Sequence, residues 1–166
     1  MEADVNARDL MSSPVVTTTE DATVAEAAAL MIEHGTSCLP VLNRDGRLTG
    51  IITHTDFGMH RKFLPMADQL YTLMGSFVHP ETLERVAREV SGRRIKEVMS
   101  HPVETVEEDA PVAMVADIMI NKGFKRIPVM RGRELVGIIT RHDLIKLMIQ
   151  ELAEGYRGSA PDRTQE

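Results

Sequence analysis

A threonine followed three residues later by an aspartate occurs as Thr53-x-x-Asp56 and again as Thr140-x-x-Asp143, each time directly behind Gly-Ile-Ile. An ionised aspartate only accepts hydrogen bonds, which suits the two hydroxyls of a ribose and not a phosphate. A threonine hydroxyl at a helix start, beside unpaired N–H groups and the positive end of the helix dipole, suits a phosphate. One turn could therefore read sugar and phosphate together. The same spacing is also a capping box, worth about 1 kcal/mol. A duplicated fold duplicates its caps, so the spacing by itself leaves both readings open.

Cations that could neutralise phosphate stand near the second motif: Arg126 just before Ile127-Pro128, Arg141 inside the turn, and His142 beside it. At the matching places the first copy has Cys38 for Arg126 and His54 for Arg141. The Asp143 site is thus expected to hold a phosphorylated ligand more tightly. The Asp56 site is expected to be weak, empty or tuned to a less charged molecule.

Other chemistry finds little support. No nucleophile elbow, Walker A loop or GxGxxG pattern is present, and Asp56-Phe57-Gly58 imitates a kinase metal triplet without its partner motifs. The six histidines form no zinc spacing with Cys38 or with each other. Neither an enzyme nor a metal centre is expected. A formal net charge of −6 and an aromatic content of 4% with no Trp disfavour a nucleic-acid binder, which needs a basic face and stacking rings. The 11 Met and the aliphatics must fill the core instead. A single cysteine allows no internal disulfide, the first residues lack a signal-peptide pattern, and no run approaches a membrane span of about 18 apolar residues. These features suggest a cytoplasmic protein without a membrane partner.

The motifs belong to a larger internal repeat. Met11, Pro14, Gly35 and Pro40 fall on Met99, Pro102, Gly123 and Pro128 at an offset of 88, which becomes 87 after a shorter turn, bringing Gly50 onto Gly137 and Asp56 onto Asp143. The first copy spans 7–61 and the second 95–152, with a linker at 62–94 and a mobile tail at 153–166. Each copy reads as strand, helix, strand, strand, helix. Val15-Val16-Thr17-Thr18 is β-branched and predicts the first strand. Thr23 with Glu26 predicts a capped helix ending at Gly35, and Pro111 replaces Thr23 in the second copy. Cys38 to Leu42 and Leu48 to Thr53 predict a hairpin, matched by 126–130 and 135–140, with the prolines expected at an edge or at a strand start. The linker predicts two amphipathic helices, at 65–74 and 80–90, packed on the lobes or forming a dimer contact.

The paired β-α-β-β-α copies, the Pro-Val strands and Gly-Ile-Ile-Thr-x-x-Asp together resemble tandem CBS (cystathionine β-synthase) domains. The resemblance implies an α+β, sandwich-like fold in which two pseudo-symmetric repeats pack through their sheets, with the helical linker as an insert. It implies a homodimer and a regulatory, signalling role in which an adenine nucleotide such as AMP, ADP or ATP binds in clefts between the repeats and shifts their packing for a protein target to read. No cofactor is required. By the same resemblance, Asp56 and Asp143 take ribose hydroxyls, Thr53 and Thr140 take phosphate, Arg126 reaches phosphate from its strand, and adenine lies near Thr17, Val41, Thr105 and Val129. The alternative is an unliganded dimerisation scaffold whose turns are only caps.

Overall fold

The computed structural model describes residues 5–57, 88 and 90–158 of the chain. Its elements run α1 (Ala7–Leu10), β1 (Thr18–Thr19), α2 (Val24–Glu33), β2 (Cys38–Leu42), β3 (Leu48–Thr53), a 3₁₀ turn (His54–Phe57), α3 (Ile95–Val98), β4 (Val106–Glu107), α4 (Val112–Asn121), β5 (Arg126–Arg131), β6 (Glu134–Thr140) and α5 (Arg141–Gly158). The fold is α+β. Two mixed three-stranded sheets, ordered β1-β2-β3 and β4-β5-β6, each combine one parallel and one antiparallel pairing.

The middle strands are apolar without interruption because both their faces are covered, as Cys38, Leu39, Pro40 and Val41 all are. Proline inside a middle strand is unexpected, and the short first strand explains it. Only Thr18 and Thr19 pair, with Val41 and Leu42, so the expected strand over Val15-Val16-Thr17-Thr18 is corrected to two residues. Pro40 lies just before the part of β2 that β1 covers, and Pro128 stands likewise beside the Val106–Val129 pair. On that side each proline is locally at an edge, where a missing N–H breaks no ladder.

Caps form as the residue types dictate. Thr23 N–H donates to Glu26 Oε2 at 2.6 Å and Glu26 N–H donates to Thr23 Oγ1 at 3.2 Å, while Pro111 stands at the N-cap position of α4 with φ at −60° and makes no side-chain capping bond. Helix α5 continues to Gly158, past Leu152, where the sequence places the end of the second copy. Glu151, Leu152, Ala153 and Glu154 are good helix formers, and Gly155 costs only about 1 kcal/mol inside a helix. The helices read at 65–74 and 80–90 lie outside the described residues, except for Arg88 and Val90. Residues 159–166 lie outside them as well.

The chain divides into two compact units whose borders are not those of the sequence copies: Val15–Val103 is one, and Met1–Pro14 with Glu104–Glu166 is the other. Each short helix is built into the unit of the opposite copy. Ile95 and Val98 of α3 join the core of Val24, Ala27, Met31, Leu39, Val41 and Ile52, and Val90 packs against it. In the other unit, Ala7 of α1 joins Val115, Met119, Ile127, Val129 and Ile139. The main chain fixes both in the same way. Ile95 N–H donates to Ala22 O at 2.9 Å and Ser100 exchanges two bonds with Ile51, while Ala7 N–H donates to Ala110 O at 2.8 Å and Ser12 exchanges two with Ile138.

Behind each helix a methionine fills the space above a glycine. A Cβ on Gly50 would collide with Met99 Sδ, and one on Gly137 would collide with Met11 Sδ and meet Met11 Cβ at 2.8 Å. The contacts at Gly50 involve only the flexible end of Met99, whereas those at Gly137 reach to the root of Met11. Gly137→Ala is therefore expected to cost about 1–3 kcal/mol by overpacking and Gly50→Ala less, as urea unfolding of the two variants will measure.

Charges add a second tie in the Val15–Val103 unit. Asp21 binds Arg44 Nη2 at 3.0 Å and Lys96 Nζ at 3.1 Å, and its carbonyl accepts from Arg94 Nη1 at 2.6 Å. The Lys96 hydrogen bond first, then that of Arg44, holds the Asp21 carboxyl below its usual value. Because the folded value lies below the unfolded one, the stabilisation is complete above the unfolded value and is lost as pH falls through the folded one. Melting temperatures followed from neutral pH into acid should fall less steeply for Asp21→Asn than for the unaltered chain.

Candidate functional site

Both turns follow the last strand of a sheet, and in both the aspartate folds back on the threonine. Thr140 N–H donates to Asp143 Oδ2 at 2.8 Å and its hydroxyl donates to the same oxygen at 2.6 Å. Thr53 repeats the pattern on Asp56 Oδ2, at 2.7 Å and 2.9 Å. Both aspartates are buried, which holds each carboxylate in a fixed orientation at its turn. In this geometry one oxygen performs the cap. The Thr140 hydroxyl already donates its hydrogen bond to the carboxylate, so an approaching phosphate would find a donor there only after the hydroxyl rotates.

The sheet registers bring the cation candidates to this point unequally. Arg126 is the direct cross-strand partner of Thr140, as Cys38 is of Thr53, and the Cys38 side chain is buried. His142 is exposed beside Asp143. Arg141 instead turns back onto carbonyls at the end of α4, donating from Nε to Phe124 O at 3.3 Å and from Nη2 to Met119 O and Gly123 O at 3.4 Å each. A cation at a helix C-terminus complements the dipole there. In the first copy His54 Nδ1 lies 3.3 Å from Ser37 O. Val41 and Val129 are fully buried at the centres of their sheets, each paired on both sides, so their side chains line the core. Thr17 and Thr105 immediately precede β1 and β4, Thr17 half-buried and Thr105 exposed. The structure thus pairs Arg126 with Thr140 and ties Asp143 to it, with His142 adjacent in sequence, while Val41 and Val129 sit mid-strand and Thr17 and Thr105 just before β1 and β4.

The family model of the CBS domain matches residues 7–57 and again 95–150. The chain belongs to the CBS-domain family. Among its relatives, the uncharacterized protein MJ1404 of Methanocaldococcus jannaschii is 30% identical over 152 residues, which cover 92% of this chain and 34% of that protein. The chain thus spans about a third of that relative's length. The crystal structure of the CBS domain of a CBS domain containing membrane protein from Sphaerobacter thermophilus is similar at a TM-score of 0.70 and 36% identity, covering 87% of this chain and 88% of that one. The CBS domain pair of protein MJ0100, in complex with 5′-methylthioadenosine and S-adenosyl-L-methionine, is similar at a TM-score of 0.66 and 26% identity, covering 90% and 99%.

Each CBS domain therefore carries its own copy of the turn. Sequence reasoning missed one neighbour of the second: Lys146 Nζ stands 3.9 Å from Asp143 Oδ1, three residues on along α5. Helical spacing from Asp143 would have found it. Among the described residues no group of three or more His, Cys, Asp or Glu could hold a metal, and no helix is long and apolar enough to cross a membrane. The bonds to Oδ2 give Asp143 a role in stability that can be measured by itself. Asp143→Ala should cost about 1–2 kcal/mol as the cap is lost. Asp143→Asn, whose carbonyl oxygen can still accept from Thr140, should cost less than half of that in urea unfolding.

Proposed function

We propose that this CBS pair is a regulatory module that binds adenosine-containing molecules at its Thr-x-x-Asp turns, as a chain in which ligand state is read by another protein. The observation that carries this reading is the carboxylate of Asp143: buried, oriented through Oδ2 by Thr140, and with Oδ1 bearing no hydrogen bond among the described residues. A rigid acceptor of this kind suits a ribose hydroxyl. The adenosine compounds held by the similar MJ0100 pair support the same ligand class.

The two domains are proposed to differ in what they hold. Arg126 beside Thr140, with exposed His142, favours a phosphorylated ligand such as AMP, ADP or ATP at Asp143. Cys38 beside Thr53 favours an uncharged or weakly charged one at Asp56. Arg141 enters as the cap of α4, and phosphate recognition falls to Arg126 and the turn itself. Thr17, Val41, Thr105 and Val129 contribute to an adenine site only through backbone groups.

A second reading, a dimerisation scaffold, draws on α5, where Ile145, Met148 and Ile149 are 52%, 63% and 60% exposed. A thermal-shift panel of AMP, ADP, ATP, NAD and S-adenosylmethionine separates the two. A ligand at about 100 times its Kd should add about 2.7 kcal/mol, or about 5–11 °C for a chain of this length. Asp143→Asn should abolish the nucleotide shift, and no shift with any compound favours the scaffold.

A further inference from the structure

We infer that Lys146 is a specificity-determining residue of the second CBS domain, grasping the oxygen of the sugar hydroxyl whose proton Asp143 accepts; this rests on reading the turn as a ribose site. Asp143 Oδ2 already accepts two hydrogen bonds from Thr140, so a diol must address Oδ1. Lys146 Nζ lies 3.9 Å from that oxygen, beyond hydrogen-bond length but within ion-pair range, and the side chain is 62% exposed, so it can adjust at little cost. A hydroxyl donating to Oδ1 at about 2.7 Å keeps lone pairs directed away from the carboxylate. An ammonium this near to Oδ1 can donate into them. One hydroxyl then gives to Asp143 and receives from Lys146, and a deoxy sugar satisfies neither.

The repeat register places Met59 where the second copy has Lys146. Met59 offers no donor. The copies therefore differ in their hold on the sugar as well as in the phosphate cations, and the second domain should discriminate more sharply against a missing hydroxyl.

Calorimetric titration of AMP, 2′-deoxy-AMP and 3′-deoxy-AMP into the full chain tests this, with Asp56→Asn present to leave the second turn alone. Lys146→Met is expected to weaken AMP about 3–10-fold, the range of one ordinary hydrogen bond at an exposed site. It should also shrink the penalty for removing a hydroxyl, while Lys146→Arg keeps both the affinity and the penalty. Unchanged AMP affinity in Lys146→Met overturns the inference, and so does an equal loss for AMP and both deoxy compounds, which would make the lysine a general phosphate charge. AMP that fails to bind the unaltered chain, or binds undisturbed by Asp143→Asn, overturns the ribose reading itself.

Discussion

A three-stranded sheet whose first strand has only two paired residues is small, and each unit of this chain adds to its sheet a four-residue helix that belongs to the other sequence copy. Ile95 and Ala7 are fully buried for this reason, although each belongs to a helix too short to be stable alone. The bare backbones of Gly50 and Gly137 complete the arrangement by leaving room for Met99 and Met11. Everything nearer the turns follows from this packing. The short helices fix the last strands, and the last strands fix where Thr53 and Thr140 begin their turns.

At those turns, capping and the proposed ligand binding need not be rival explanations. Each aspartate has two oxygens, and the fold uses Oδ2 of Asp56 and of Asp143 to hold the preceding threonine. Of the capping box visible in the spacing, the bonds from the threonine N–H and hydroxyl to the carboxylate form, and they are what orients it. A cap that also presents an acceptor needs an acid in this place; serine or alanine could not do both. The repetition of Thr-x-x-Asp thus marks a fold requirement and a chemical opportunity in the same four residues.

Much of this was legible in the sequence because it is local. The register of the copies, the Thr23 cap and the hairpins all follow from residue types and spacing. The first strand was overestimated because β-branched residues describe an extended backbone, whereas a strand needs a partner, and β2 offers one only to Thr18 and Thr19. Arg141 read as a phosphate cation because its neighbours in sequence are the turn; its neighbours in space are the carbonyls that end α4. The placement of α1 and α3 was hidden more deeply. A sequence repeat shows what was copied, and here each copy begins with a helix that completes the other unit.

The offset between copied segment and packed unit carries a consequence for ancestry. A single copy standing alone would hold its short helix on the wrong side of its own border, with a sheet still open and no segment of its own to close it. Two such molecules could each lend the other a helix, closing both at once. Joining the two copies in one chain turns that reciprocal loan into an intramolecular one, independent of concentration. Once they are joined, the two sheets are free to diverge, as Cys38 and Arg126 already have.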